Sequence, residues 1–427
     1  MLMIARLLNE VAPTIATSNP ARMASSTHEK PRCSILELTS QTAQKSNPGT
    51  IAYYEMPPLS NLLVVDFTRA VAGPFATQLL ADRGARVIKI EDPGTGDECR
   101  YWGPAFKAGE SAYHMSLNRN KESITLDLKS DLGREAVARL IAKADVVIEN
   151  FRVGIAERLG FGWDAASALN PRLIYASISG FRRDSDEAER PGYDLIAQAM
   201  SGLMHANRMP NGDPFRVVYP ITDITTGMYA SHAILTALYE RENTGKGRRV
   251  WVSLVESLMS TMCAITPMQL ISGEEPVMGQ AIVPYQMFRA SDGPLVIGTP
   301  NERIWLRFAE AVDRKDWLED PCFLSNKARC DNRAYVLEQI QETVGRMTRA
   351  ECLDRLAHHD VPSGPILTVT EANESGRMKT IEIDHPKAGP IKVPGNPIEG
   401  FGPALNNPAA LLGEHTAQIL AELGLAE

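Results

Sequence analysis

Between residues 62 and 91 the sequence predicts a strand, a helix and a second strand in close succession. Residues 62–65 form an unbroken apolar run, which is typical of a strand buried on both faces of a sheet. Pro74 suits the first turn of the helix that follows, and Gly84 suits the position just after its end. Residues 86–90 form the second strand, which closes at Glu91. A β-α-β unit of this kind builds a parallel sheet with a right-handed crossover.

The same alternation continues toward the middle of the chain. Further strands are predicted at residues 123–128, 145–148 and 173–178, and an amphipathic helix at residues 131–142. This pattern predicts an α/β fold with a doubly wound, Rossmann-like parallel sheet, whose ligands bind at the carboxyl ends of the strands. The loops that follow the strands, at residues 66–71, 91–92, 150–151 and 179–180, are therefore the candidate ligand-binding segments.

The length and net charge of the chain bear on the number of its domains and on its possible partners. A chain of 427 residues exceeds one ordinary domain, so we expect two. Residues 292–297 indicate a hairpin strand that opens a smaller α+β region, and residues 411–423 indicate a closing helix. The net charge of −8 argues against a nucleic-acid partner, because phosphate neutralisation needs a basic face. No apolar run approaches the ~18 residues that a membrane span requires.

The first 56 residues differ in composition from the rest and form an N-terminal extension. Residues 2–8 can make a short amphipathic helix, and a Ser/Thr/Ala-rich stretch follows it. This composition resembles a mitochondrial transit peptide, whereas Glu10 and the small number of arginines favour a tail without targeting function. Both interpretations stay open, and they correspond to a mitochondrial or a cytoplasmic location.

Several common catalytic motifs are absent from the sequence. The loop after the first strand lacks the glycines of a dinucleotide site, and neither a P-loop nor a GxSxG elbow is present. The six cysteines and eight histidines are scattered, so we expect no metal. Basic and amide side chains near the predicted strand ends form either a phosphate pocket or an ordinary solvated surface. They are Arg69, Lys121, Lys129, Asn150, Arg152 and Arg158.

Eight segments of the chain resemble segments of the class III CoA transferases and occur in the same order. This is the family of formyl-CoA transferase and carnitine CoA transferase. They are residues 65–75, 80–91, 118–129, 147–154, 191–198, 222–230, 244–247 and 385–395. The resemblance covers nearly everything from Leu59 onward. Within the family, residues 282–288 and 118–121 are most similar to the succinyl-CoA:glutarate CoA transferase group of dicarboxylate enzymes.

This resemblance implies a domain organisation and an assembly. The large CoA-binding domain would span residues 57–270, the small domain residues 275–385, and residues 386–427 would return to the large domain. Two such chains would interlock as a homodimer. No cofactor would be bound permanently, and a coenzyme A thioester would be the co-substrate.

The resemblance also implies a catalytic residue, Asp223. Its carboxylate would accept CoA from an acyl-CoA, with succinyl-CoA as the leading candidate, and form an aspartyl-CoA thioester. The acceptor would be a short carboxylic acid such as the dicarboxylates glutarate or itaconate. Asp223 also suits the N-cap of a helix predicted over residues 225–239, where nearby N–H groups would keep the carboxylate ionised.

The family's CoA-contacting positions fall on seven residues of this sequence: Ala70, Val71, Leu126, Lys129, Asn150, Phe151 and Arg158. The chain departs from its relatives at Asp92, where several carry a basic residue, and at Val71, where formyl-CoA transferase has glutamine. Both departures disfavour formate. Arg69 and Tyr193 are candidate substrate-binding residues. The guanidinium of Arg69 could pair bidentately with the distal carboxylate of a dicarboxylate.

Two alternatives remain on the same fold. An α-methylacyl-CoA racemase needs a histidine and a glutamate where this chain has Tyr193 and Asn301, and tyrosine, with an ordinary pKa near 10, is a poor base at neutral pH. A catalytically silent CoA-ester-binding protein is the other alternative, against which the intact Asp223 counts.

Overall fold

The computed structural model describes residues 56–209, 212–275, 281–402 and 405–425. The large region lies between residues 56 and 272. Its elements are, in chain order, β1 (Leu63–Asp66), α1 (Ala72–Ala81), β2 (Arg86–Glu91), β3 (Phe106–Lys107), β4 (Glu110–Ser111), α2 (Ala112–Leu117), β5 (Lys121–Thr125), α3 (Asp131–Lys143), β6 (Val146–Glu149), α4 (Ile155–Arg158), α5 (Trp163–Leu169), β7 (Ile174–Ser179), α6 (Asp194–Met200), α7 (Leu203–Ala206), α8 (Ile221–Thr244), β8 (Arg248–Ser253), α9 (Leu254–Thr261) and α10 (Thr266–Ser272).

Six of these strands form one parallel sheet in the order β5-β2-β1-β6-β7-β8. The central strand β1 pairs in parallel with both neighbours, so that Val65 lies opposite Ile88 on one side and Val147 on the other. Helices α1, α6, α8 and α9 contribute to the apolar core on one face of the sheet. Helices α3, α4 and α5 contribute to the core on the other face. The prediction of a doubly wound parallel sheet is therefore confirmed.

The strand β5 is shorter at its carboxyl end than the predicted strand at residues 123–128. It ends at Thr125, and a turn at residues 127–130 then leads into α3. The backbone carbonyl of Asp127 accepts a hydrogen bond from Ser130 N–H, and the Ser130 hydroxyl caps α3 by accepting from Gly133 N–H.

A second group of elements follows α10. It comprises β9 (Tyr285–Ala290), β10 (Gly293–Gly298), α11 (Glu302–Ala311), α12 (Asn326–Asp331), α13 (Arg333–Gly345), α14 (Arg349–His358), β11 (Ser363–Pro365) and α15 (Val369–Glu374). The strands make an antiparallel sheet in the order β11-β10-β9. This region has its own aromatic core, in which Trp305, Phe308, Trp317 and Phe323 are buried. The smaller α+β region is thus present, while the exact domain limits at residues 275 and 385 stay predictions.

The C-terminal segment forms a hairpin, β12 (Thr380–His385) and β13 (Gly389–Pro394), and a last helix, α16 (Thr416–Glu422). The helix lies against the β5 edge of the large sheet, where Ile419 is buried in the same core as α3. His415 N–H donates to Ser123 O at 2.9 Å, and Glu422 pairs with Arg86 at 2.8 Å. The closing helix is confirmed, although it begins at Thr416 rather than at residue 411.

Two sequence predictions concern membranes and targeting. No single helix in the described ranges is long and apolar enough to cross a membrane, although α9 and α10 together, bent by 77°, have that length and composition. The predicted transit peptide lies outside the described residues.

Candidate active site

A cavity of about 250 Å³ opens at the carboxyl edge of the large sheet. The loops after β1, β6 and β7 form its walls together with the first turn of α8. This position is the one expected for the ligand site of a doubly wound sheet. The wall brings together seven of the residues proposed from the sequence: Arg69, Ala70, Asn150, Phe151, Arg152, Tyr193 and Asp223.

Asp223 reaches the cavity because α8 packs closely on α1. It is the third residue of α8, which begins one turn earlier than predicted, with Pro220 at the N-cap. A Cβ atom added at Gly227 would lie 2.6 Å from Ala72 O, so only glycine allows this approach of the two helices. Ala72 and Asp223 both line the cavity, and the close contact therefore holds the catalytic candidate against the loop that follows β1.

The electrostatics of Asp223 differ from the expectation drawn from the sequence. Its carboxyl group is half-buried and has no hydrogen-bond donor among the described residues. Burial raises its pKa to about 7, and the negative charge of Asp194 adds to the rise. The first-turn amide of Thr222 donates instead to Asp194 Oδ1, at 2.9 Å. The N-cap assignment and the expected stabilisation of the ionised carboxylate were therefore wrong.

The loops after β1 and β6 are joined by one amide side chain. Asn150 Oδ1 accepts from Arg69 N–H at 3.0 Å, and Asn150 Nδ2 donates to Arg69 O at 2.8 Å. Both backbone groups of Arg69 are satisfied in this way, so its side chain is free to face the cavity. Its guanidinium lies 5.5 Å from the centre of the Phe151 ring, which is a cation–π distance.

Ala70, the next residue, has a left-handed backbone with φ of 67°. An alanine is disfavoured in this region, so the surrounding bonds must hold the conformation. Ala70 N–H donates to Asp97 Oδ1 at 3.0 Å, and Asp97 Oδ2 pairs with the buried Lys89 Nζ at 2.8 Å. Lys89 also donates to Thr68 O at 2.7 Å. A buried ion pair thus fixes the loop whose strained residue lines the cavity.

Lys121 belongs to a similar buried network and does not reach the cavity wall. Its ammonium donates to Pro74 O and to Asn118 Oδ1, each at 2.8 Å, and lies 3.5 Å from Asp66 Oδ2. Burial lowers its pKa to about 8, and the charge of Asp66 opposes that change. This lysine supports the start of α1 and is no part of a phosphate pocket.

The cavity wall carries three arginines, Arg69, Arg152 and Arg190, and two carboxyl groups, those of Glu98 and Asp223. Arg190 pairs with Glu187 and lies over the ring of Phe181. The Arg69 guanidinium lies over the Phe151 ring, and its charge also helps to lower the pKa of the exposed Asp92 carboxyl group. The cavity is therefore suited to a ligand with negative charges.

Two glycines, Gly180 and Gly192, also shape the wall, and Gly180 belongs to the loop at residues 179–180 that was predicted to bind a ligand. A Cβ atom added at Gly180 would lie 2.7 Å from the Cα atom of Gly192. Their backbones therefore cross in contact, and this contact brings the loop of residues 181–191 back to the cavity. Glycine directly after a predicted strand end was the only signal of this crossing.

Four of the proposed CoA-contacting residues lie outside the cavity wall. The side chains of Val71 and Leu126 are buried, whereas Lys129 and Arg158 are exposed. Leu126 and Lys129 follow the carboxyl end of β5, at the same edge of the sheet as the cavity. Their contacts with CoA stay predictions.

Other features bear on the alternative functions. Asn301 caps α11 by accepting from Ile304 N–H and is not on the cavity wall. Tyr193 is on the wall and more than half exposed. Within the described ranges, no group of three or more His, Cys, Asp or Glu side chains is placed to hold a metal ion.

Comparison with known proteins identifies the family. The profile of CoA-transferase family III matches residues 59–416. The chain is 36% identical to succinyl-CoA:glutarate CoA-transferase of Mus musculus, over 86% of this chain and 87% of that protein. It is also 36% identical to acetyl-CoA:oxalate CoA-transferase of Acetobacter aceti, over 87% and 97% of the two chains.

A solved structure gives the same result. The crystal structure of a CAIB/BAIF family protein from Brucella suis superimposes with a TM-score of 0.75 at 36% identity, covering 86% of this chain and 99% of that one. The matches span both the large and the small regions of the fold. The chain belongs to CoA-transferase family III and is a class III CoA-transferase.

Proposed function

We propose that the protein transfers CoA from an acyl-CoA, with succinyl-CoA as the leading donor, to a short dicarboxylate such as glutarate or itaconate. The reaction passes through an aspartyl-CoA thioester on Asp223. The observation that carries this proposal is the carboxyl group of Asp223, half-buried in the cavity without a hydrogen-bond donor among the described residues. A carboxylate so placed has no competing partner and is available to attack a thioester carbonyl.

The first half-reaction consumes the donor thioester. The Asp223 carboxylate attacks the thioester carbonyl carbon, and the C–S bond breaks, so CoA leaves as a thiolate and a mixed anhydride forms. The thiolate then attacks the Asp223 carbonyl carbon of that anhydride. The donor acid leaves as its carboxylate, and CoA is now a thioester of Asp223.

The second half-reaction reverses these steps with the acceptor. The acceptor carboxylate attacks the Asp223 thioester, the thiolate leaves again, and a new mixed anhydride joins Asp223 to the acceptor acyl group. The thiolate attacks the acceptor carbonyl carbon and releases the Asp223 carboxylate. No water and no redox step enters the sequence, and each exchange becomes two easier steps.

The raised pKa of Asp223, about 7, suits this chemistry. A more basic carboxylate is a better nucleophile, and a pKa near neutrality still leaves a large ionised fraction at pH 7 to 8. The partial burial of Asp223 limits the access of water to the reacting carbonyl groups, which slows hydrolysis of the anhydride and the thioester.

The acid specificity is inferred from the arginines of the wall. Asn150 holds the backbone of Arg69, and the Arg69 guanidinium lies over the Phe151 ring at the cavity wall. A guanidinium in this position can pair bidentately with the distal carboxylate of a dicarboxylate. The similarity to succinyl-CoA:glutarate CoA-transferase supports the same choice, and the similarity to an oxalate enzyme makes oxalate the first alternative to test.

We further expect a homodimer in a mitochondrial compartment. Helix α8 and the segment before it expose large apolar side chains, among them Val218 (71% exposed) and Tyr239 (74% exposed). Such exposure is characteristic of surfaces covered by a partner. The location depends on the composition of the N-terminal extension alone and is tested by import of the full chain.

The experiment is a panel assay with succinyl-CoA and a set of dicarboxylates and monocarboxylates, in which new CoA esters are identified by mass spectrometry. We expect a dicarboxyl-CoA with the wild-type protein and none with Asp223→Asn. Asp131→Asn is the matched control, because Asp131 is also in the first turn of a helix but has a fully exposed side chain. Conversion of no acid, together with α-proton exchange on a branched acyl-CoA, would replace this proposal by the racemase.

A further inference from the structure

Asp194, the first residue of α6, connects that helix to the start of α8. Its Oδ1 atom accepts from Thr222 N–H at 2.9 Å, one residue before the catalytic candidate. The four first amides of a helix have no partner within the helix, and a side chain usually supplies one from the N-cap position. The N-cap of α8 is Pro220, which has no such side chain, so the cap comes from another helix.

The other oxygen of Asp194 is held as well. Asp194 Oδ2 accepts from Gln198 Nε2 at 2.7 Å, and Gln198 is completely buried. The same amide group bonds the chain before α8: Gln198 Oε1 accepts from Val217 N–H at 2.9 Å, and Nε2 donates to Val217 O at 3.0 Å. Both ends of the segment 217–222 are therefore fixed by two side chains of α6.

The negative charge of Asp194 acts on the carboxyl group of Asp223. The charged and titratable groups that share the cavity wall with Asp223 are Arg69, Glu98, Arg152, Arg190 and Tyr193. Despite the three arginines among them, burial and the Asp194 charge together raise the pKa of Asp223. The carboxylate of Asp194 is itself stabilised by its hydrogen bonds and by the amino-terminal end of α8.

We propose that Asp194 is the positioning residue of the nucleophile: it caps α8 from α6, directs Asp223 into the cavity, and holds a second carboxylate charge at the same helix start. This inference rests on the proposed role of Asp223. The cap sets the direction of the carboxylate, and the charge sets its basicity. A single residue thus controls the geometry and the reactivity of the attacking group.

The test compares four variants by the pH dependence of kcat/KM, which reports ionisations of the free enzyme. Asp194→Asn keeps an oxygen for the Thr222 amide and removes the charge. We expect its acidic limb to move down by about one pH unit, with kcat at high pH within about threefold of wild type. Asp194→Ala removes the cap also, so we expect the same movement of the limb and a fall in kcat of at least about tenfold.

Two further variants separate the effect of the Asp194 charge from that of the hydrogen bonds that hold the start of α8. Gln198→Leu removes the buried brace and keeps the charge, so we expect a lower kcat with an unmoved limb. Asp131→Asn changes an exposed first-turn aspartate on α3 and is expected to leave both quantities unchanged. An acidic limb that stays within about 0.3 pH units of wild type in Asp194→Asn would overturn the inference.

The failure of this inference is distinguishable from the failure of the proposed function. Single-turnover formation of the aspartyl-CoA thioester from succinyl-CoA is measured by mass spectrometry in each variant and at each pH. A wild-type protein that forms no thioester on Asp223 contradicts the proposed function. A wild type that forms it, with a pH dependence that Asp194→Asn does not alter, contradicts only the role of Asp194.

Discussion

Replacing Asp223 by asparagine removes an ionisable group from a half-buried site and preserves the size of the side chain. The folded protein holds the pKa of Asp223 at about 7, above its ordinary value of 3.8. Between these two pH values the folded state binds a proton that the unfolded chain has released. The stability that the protonated group contributes is therefore complete below pH ~4 and is lost as the pH rises through about 7.

The size of the effect follows from the rise in pKa. The pKa of Asp223 rises from 3.8 to about 7 on folding, and each pKa unit corresponds to about 1.4 kcal/mol. The free energy of unfolding of the wild-type protein therefore falls by about 4 kcal/mol as the pH rises between these two values. Solvent screens part of this effect because the group is half-buried, so we expect Asp223→Asn to increase the free energy of unfolding by about 2 to 4 kcal/mol at pH 8. At pH 5 the folded carboxyl is still protonated, and the expected gain is about 1 to 2 kcal/mol.

The assay is thermal denaturation at one scan rate, at pH 5 and pH 8, with Asp131→Asn measured in parallel. We expect the apparent Tm of Asp223→Asn to exceed that of wild type by several degrees at pH 8 and by less at pH 5. The control removes an exposed carboxylate, so we expect its difference in Tm from wild type to be the same at the two pH values. A gain that is absent at pH 8, or larger at pH 5, would refute the assignment of a raised pKa to Asp223.

Three further predictions follow from the cavity and its support. Arg69→Lys should raise KM for a dicarboxylate acceptor by about tenfold and leave KM for a monocarboxylate almost unchanged, because lysine cannot form the bidentate pair; acceptor titrations measure both. Gly227→Ala should lower kcat by at least about tenfold and destabilise the fold by about 1 to 3 kcal/mol, because its Cβ would meet Ala72 O at 2.6 Å and displace α8. Steady-state kinetics measure the first effect and urea unfolding the second. Lys89→Met should destabilise by about 3 to 5 kcal/mol, because it leaves the buried Asp97 without its cation, and an unchanged unfolding midpoint would contradict that ion pair.

The fold was accessible from the sequence because its strongest signal is local. The apolar run at β1, the helix α1 and the strand β2 occupy about thirty residues, and a β-α-β unit leaves little freedom in how its strands pair. Parallel strands also place their carboxyl ends at one edge, so Arg69 and Asn150 could be expected to meet although they lie 81 positions apart.

The properties of the candidate site depend on contacts that no local pattern reveals. The cap of α8 comes from Asp194, 28 residues before Thr222, and only the packing of α6 brings the two together. The N-cap prediction for Asp223 failed for this reason, and the expected ionised state failed because burial outweighs the helix dipole at that position. Lys121 likewise looked like a surface cation, whereas tertiary packing encloses it beneath α1.

The most direct test of the proposed mechanism is detection of CoA on Asp223 itself. The protein is incubated with succinyl-CoA in the absence of an acceptor acid, quenched in acid and digested, and the peptide that contains Asp223 is analysed by mass spectrometry with and without hydroxylamine. We expect a CoA adduct on this peptide that hydroxylamine converts to a hydroxamate, and no adduct in Asp223→Asn. Continued CoA transfer by Asp223→Asn, or transfer by the wild type without any such adduct, would contradict covalent catalysis by Asp223.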